Sequence, residues 1–258
     1  MSEREELLEE LRCLRGYVAE LAESGMDLLP LDMADPAAVV PESVPVPVAA
    51  ETVAVYAAPT APAEARQETL EEVSLELGEC HRCRLGNGRT NLVFGSGNPH
   101  ARLLFVGEAP GEADDRQGEP FVDEAGQLLT KIIQAMGFRR DEVYICNVLK
   151  CRVPEDQHPQ PDEIGQCLPF LLRQVRAVAP AAIVALGTFA AQTLLRSKEP
   201  ISKLRGQFHD FHGIPLMPTF HPRFLLRNPA MKREVWEDMK QVMQRLGAEL
   251  SHKGGAGQ

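Results

Sequence analysis

No stretch of the 258 residues approaches the ~20 consecutive apolar side chains that a membrane-spanning helix needs. The first residues, MSEREELLEE, are acidic where a secretory leader is basic, so the chain is expected in the cytoplasm. The sequence also has no internal repeat, no P-loop lysine and no dinucleotide glycine spacing, which argues against a nucleotide-triphosphate site. Basic charge is scarce overall, with a net of −10, yet the shortage is local. Residues 1–76 carry 17 acidic and 4 basic side chains, whereas the remainder carries 20 and 23, a net of +3. The later part is therefore compatible with a phosphate backbone as partner. An apolar content of 44% is ordinary for a protein with a sizeable core.

Four regions follow from the pattern. Residues 1–34 contain an amphipathic helix, with Leu7, Leu8, Leu11, Leu14, Val18 and Leu21 at three-and-four spacing. That stripe needs a cover, either the protein's own core or a protein partner. Residues 35–66 are rich in Pro, Ala and Val without period and read as a flexible linker. Residues 67–248 form the folded domain, and 249–258 a disordered tail. Within the domain a short helix at 69–77 precedes alternating strands and helices. Strands are expected at 102–106 (RLLFV), 142–148 (EVYICNV), 182–186 (AIVAL) and 214–219 (IPLMPT), with helices at 128–136, 162–178, 188–196 (Thr188 as its cap) and 230–246. This alternation predicts an α/β fold, a three-layer α/β/α arrangement around a mostly parallel four-stranded sheet.

The chemistry concentrates at strand ends, where parallel sheets bind ligands. The polar loop 107–127, GEAPGEADDRQGEPFVDEAGQ, offers Glu108, the acids Glu112, Asp114 and Asp115, and Phe121. By itself it is compatible with a solvated acidic turn and one core aromatic. Asn147 closes the second strand and has a turn-former's residue type. After the last strand, TFHPRFLLRNP brings His221, Arg223 and Arg227, with Pro222 suited to a first helical turn. Convergence of three strand ends on one rim is stronger evidence than any single member.

Six cysteines in a cytosolic chain favour thiols, metal ligands or catalytic groups over disulfides. Cys80 and Cys83 make a C-x2-C knuckle with an exposed His81 between them; Cys151 and Cys167 follow, separated by a loop. Spacing alone leaves zinc and an iron-sulfur cluster about even. Cys13 and Cys146 read as buried thiols.

The segments GEAPGEADDRQGEPFVDEAGQLL, VYICNVLKCR and HPRFLLRNP, with the four cysteines in order, resemble the family 4 uracil-DNA glycosylases, the iron-sulfur type of bacteria and archaea. The resemblance covers about residues 75–246. It implies a [4Fe-4S] cluster on Cys80, Cys83, Cys151 and Cys167, and uracil-containing DNA as the partner of a monomer acting at the nucleoid. It also implies that Glu108 positions and activates water, the Ala109 backbone contacts the base, Phe121 stacks on it, Asn147 reads its edge and His221 bonds its O2. Leu225, Leu226 and Arg227 resemble the loop that enters the duplex. Asp114 stands where many members have Glu, near the C5 edge of the base, and Asp123 and Glu124 add charge beside the pocket. Subfamilies that trap uracil covalently carry a basic, histidine-containing insertion after the acidic cluster; here Asp115 is followed directly by Arg116, so turnover is expected. A nonenzymatic nucleic-acid-binding module with a structural metal site and an iron-sulfur electron carrier are the competing readings.

Overall fold

The computed structural model describes residues 68–154 and 157–247. The expected N-terminal helix (1–34), linker (35–66) and tail (249–258) lie outside that range, as do residues 67 and 248 at the two ends of the expected folded domain. The domain opens on α1 (Leu70–Leu77), where Thr69 Oγ1 accepts from the Glu72 amide and Glu72 Oε2 accepts from the Thr69 amide. This reciprocal cap sets the helix start. Its Val73 and Leu77 pack on Phe170 of a later helix, α4 (Pro161–Val178).

Six strands form one sheet: β1 (Ser96–Gly97), β2 (Leu103–Gly107), β3 (Tyr144–Asn147), β4 (Ala182–Leu186), β5 (His209–Phe211) and β6 (Ile214–Thr219). Their order is β1-β3-β2-β4-β6-β5. The inner four are parallel, and β1 and β5 add antiparallel edges, so the expected four-stranded sheet is a six-stranded one. Edges of two and three residues are too short to show an alternating apolar pattern. Every residue of β2, β3 and β4 is buried, although successive side chains face opposite ways. Both faces of the sheet are therefore covered, as a helix-flanked parallel sheet requires.

The remaining helices are α2 (Glu112–Gln117), α3 (Glu124–Ala135), α5 (Gly187–Leu195), α6 (Ile201–Leu204), α7 (Pro222–Arg227) and α8 (Lys232–Leu246). The expected loop 107–127 is thus not all loop: it winds into α2 and runs into α3, which starts four residues before the apolar period because Asp123 caps it through the Gly126 amide. Thr188 lies buried inside α5 and does not cap it. No helix among the described residues is long and apolar enough to cross a membrane.

The chain leaves β2 for β3 on one side and then crosses to β4 on the other. Between the C-terminal ends of β2 and β4 the connections diverge, and this switch point is where a crevice opens.

Candidate active site

A cavity of about 780 Å³ opens at that switch point. Its wall is built by Glu108 to Asp114 after β2, by Leu186 to Phe189 after β4, and by His221, Arg223 and Phe224 after β6. Phe121, Asp123, Ala125 and Arg116 also line it, as do Arg152 to Pro154 and Gln157.

Phe121 is 6% exposed and takes φ of 56°, a left-handed backbone that an aromatic residue adopts only when its surroundings impose it. Here Arg140 Nη2 donates to the carbonyls of Pro120 (2.6 Å) and Phe121 (3.0 Å), and Asp114 Oδ1 accepts from the Val122 amide at 2.8 Å. Gly126 lies so close to the Phe121 carbonyl that any Cβ would collide with it. The ring is thereby held 5.6 Å from the His221 ring, with the two planes 30° apart.

His221 caps α7: its Nδ1 accepts from the Arg223 amide at 3.1 Å. With Nδ1 an acceptor, the neutral ring carries its proton on Nε2 and presents a donor. Burial, reinforced by the Arg223 cation, pulls its pKa down to about 4, against a smaller opposing pull from Asp123. Burial pushes the Glu108 carboxyl up instead, and Arg223 pulls it part of the way back. Arg223 Nη2 also lies 3.3 Å from Asp123 Oδ2 across the mouth of the cavity.

Asn147 is 1% exposed at the end of β3, in register with Gly107 at the end of β2. Neither Oδ1 nor Nδ2 has a hydrogen-bond partner among the described residues. Gly107 leaves room for it: a Cβ there would collide with Asn147 Oδ1 and stand 2.6 Å from Phe121 Cζ. The carboxamide therefore sits beside the tip of the Phe121 ring, just behind the cavity wall.

The cysteines lie on the far side of the same segment. Cys151 is buried with Leu85 and Leu149, and Cys83, Cys167 and Ile164 pack on that group. Cys80 is near enough to act electrostatically on both Cys151 and Cys167. Burial raises both thiols, Cys167 to about 11, while Arg89 counters it at Cys151 and Lys150 at Cys167. Arg89 Nη1 is 3.5 Å from Cys151 Sγ, and the Lys150 amide donates to Cys167 Sγ at 3.3 Å. Donors and cations turned toward Cys151 and Cys167 suit thiolates. Among the described residues, no three His, Cys, Asp or Glu are grouped as ligands of a single ion. Cys146 is buried and His81 exposed, as their positions suggested.

The profile described as the uracil DNA glycosylase superfamily matches residues 94–240, more than half of the chain. The chain belongs to this superfamily. It is similar to the type-4 uracil-DNA glycosylase of Thermotoga maritima, with 45% identity over 181 residues, 69% of this chain and 94% of that protein. The type-4 enzyme of Archaeoglobus fulgidus is 38% identical over 70% of this chain and 94% of its own, and that of Saccharolobus solfataricus 37% over 70% and 88%. Among superfamily members it is therefore a type-4 protein, and an enzyme rather than a binding module or an electron carrier.

In this type-4 member the expected site residues are not equally placed. Glu108, Ala109, Asp114, Phe121 and His221 share the cavity wall, with Asn147 behind it. Asp114 has both oxygens committed, one to Val122 and the other to the Gly111 amide, which makes it a fixed part of the wall. Leu225 is not available to a duplex: it is 0% exposed in the main core, on the inward face of α7. Leu226, 39% exposed, and the exposed Arg227 lie on the outer side. Sequence reasoning passed over Arg140, Lys150 and the Leu186 to Phe189 corner. That corner carried a usable signal, since it follows a strand end like the other three; Arg140 and Lys150 carried none.

Proposed function

We propose that this protein is a monofunctional uracil-DNA glycosylase, which turns a uracil nucleotide out of DNA and hydrolyses its N-glycosidic bond to leave an abasic site. The observation that carries this reading is the Asn147 carboxamide, buried and unpaired beside Phe121 at the back of the cavity. A buried polar group without a partner is costly, and a ligand that supplies the missing donor and acceptor recovers that cost. Uracil offers an N3 donor beside an O4 acceptor, which one carboxamide orientation satisfies. Cytosine offers the reverse and meets that orientation donor to donor.

The extruded base costs a few kcal/mol of stacking and pairing, less at a mismatch. Stacking on Phe121 returns about 1 to 3 kcal/mol. The Ala109 backbone and Asp114 border the base, Asp114 on its C5 side. As the bond between C1′ and N1 breaks, its electron pair moves onto the base, and O2 accepts a hydrogen bond from His221 Nε2–H. Water, oriented by the Glu108 carboxylate, gives its hydroxyl to C1′ and its proton to Glu108. Negative charge near the cationic sugar and a fixed donor at the anionic base both favour the transition state. Leu226 and Arg227 enter the space that the flipped nucleotide leaves.

Cys80, Cys83, Cys151 and Cys167 would hold a [4Fe-4S] cluster, and the packing of Cys83, Cys151 and Cys167 on one apolar group and the donors facing Cys151 and Cys167 support that assignment. When bound, the cluster supplies a cross-link between the knuckle, the segment after β3 and α4. The test of function is incubation of the full chain with oligonucleotides bearing one uracil. Free uracil and an alkali-labile site are expected, and tight DNA binding with no release would refute the reading.

A further inference from the structure

Lys150 is 1% exposed, does not line the cavity, and has no part in the chemistry above. Its Nζ folds back and donates to the main-chain carbonyl of Asn147 at 2.6 Å. Its own amide donates to Cys167 Sγ at 3.3 Å, and its carbonyl accepts from the Val93 amide at 2.9 Å. Just before it, the Val148 and Leu149 amides donate to the carbonyls of Gly107 and Glu108, both at 2.9 Å. One residue thus ties the base-reading position to a thiol of the cysteine site.

A buried ammonium normally needs an anion, and no carboxylate pairs with Lys150 among the described residues. A carbonyl is only a dipole. Asn147, for its part, has no side-chain partner, so the aim of its carboxamide is inherited from the backbone beneath it.

We propose that Lys150 is a positioning residue for base reading: anchored against the cysteine site, its ammonium clamps the Asn147 main chain and so aims the carboxamide at the edge of the base. This rests on the reading role given to Asn147. Because Lys150 does not line the cavity, its loss affects discrimination of the base and not the grip on DNA.

The test uses cluster-loaded full chain and two duplexes, one with 2′-fluoro-deoxyuridine, which resists cleavage, and one with a tetrahydrofuran abasic analogue at the same position. Wild type is expected to prefer the uracil duplex. Lys150→Met, of similar length but uncharged, should lose about tenfold or more of that preference, as a change near 1.4 kcal/mol corresponds to tenfold. Its affinity for the abasic duplex should stay within about twofold. Equal weakening on both duplexes, or an unchanged preference, overturns the proposal. If Lys150→Met does not fold, Lys150→Gln is measured by the same two criteria. Asn147→Asp serves as the reference: if it keeps the uracil preference, the reading role of Asn147 fails; if it loses the preference while the lysine variant keeps it, only the Lys150 inference fails.

Discussion

Replacing Asn147 by Leu separates what the residue does for function from what it costs the fold. The two side chains share a branch at Cγ, and the change removes two buried polar atoms that lack protein partners. Each such atom costs about 1 to 3 kcal/mol, so their removal recovers about 2 to 6 kcal/mol. Leu is bulkier and must pack against the Phe121 tip and Gly107, where overpacking returns about 1 to 3 kcal/mol of that gain. The mid-range values leave a net stabilisation of about 2 kcal/mol, which raises the midpoint of a domain of this size by about 4 to 8 °C. Catalysis should move the other way. Bound uracil would leave its own N3 donor and O4 acceptor unpaired, at about 1 to 3 kcal/mol each, so single-turnover excision should fall by roughly 10² to 10⁴. Asn147→Asp should also cripple uracil release while admitting some cytosine. Scanning calorimetry and quenched-flow excision on matched duplexes give both quantities. A leucine variant that is less stable than wild type and still excises uracil normally would refute the assignment of an unpaired reading carboxamide.

The pH profile is a second test. In the proposed mechanism Glu108 is ionised to orient water, and burial raises its pKa above the ordinary 4.5, so kcat/KM should fall on the acid side with a limb above that value, absent in Glu108→Gln. A raised carboxyl costs stability once the pH passes 4.5, so the same Gln variant should unfold at a higher temperature at neutral pH and lose that advantage in acid. His221→Ala should slow excision by roughly 10² to 10³, the loss typical of one transition-state donor, with DNA affinity retained. Arg140→Met should free the Phe121 backbone, weaken uracil and cytosine binding alike, and leave their ratio unchanged, measured with uncleavable duplexes. Cys167→Ser should yield protein with fewer than about four irons per chain and a lower unfolding midpoint, by iron analysis and calorimetry; stoichiometric zinc without sulfide in the wild type would sink the cluster assignment.

Much of the fold is legible in the sequence. β4 and β6 fall where AIVAL and IPLMPT place them, because a short run of apolar residues bounded by turn formers has few alternatives to a buried strand. The rim was legible for the same reason: once strands alternate with helices, strand ends must share an edge. What was not legible depends on contacts distant in sequence. β1 owes its existence to pairing of Ser96 and Gly97 with Ile145 and Tyr144, not to its own composition. Leu225 and Leu226 are alike in sequence, and only the packing of α7 on the core buries one and exposes the other. Arg140 and Lys150 act through main-chain carbonyls, which leave no mark in the residue pattern.

The proposed mechanism needs Glu108 as an anion and His221 as a neutral ring, and the same two influences, burial and Arg223, act on both. Burial drives both groups toward neutrality, which suits the imidazole and opposes the carboxylate. Burial alone would therefore give a donor without a base. Arg223 breaks that symmetry, since a cation near both lowers both pKa values: it draws Glu108 back toward its anion and pushes His221 further toward the neutral ring. The protein places that cation through α7, whose first turn also uses the Arg223 amide to fix the His221 tautomer. One residue thus biases, through its side chain, the charge of the proposed base and donor and, through its backbone, fixes the direction in which the imidazole points. Asp123 holds the guanidinium from the opposite wall at 3.3 Å, and this gives the added acid at the start of α3 a function: it limits where the Arg223 charge can go without reaching Glu108 itself.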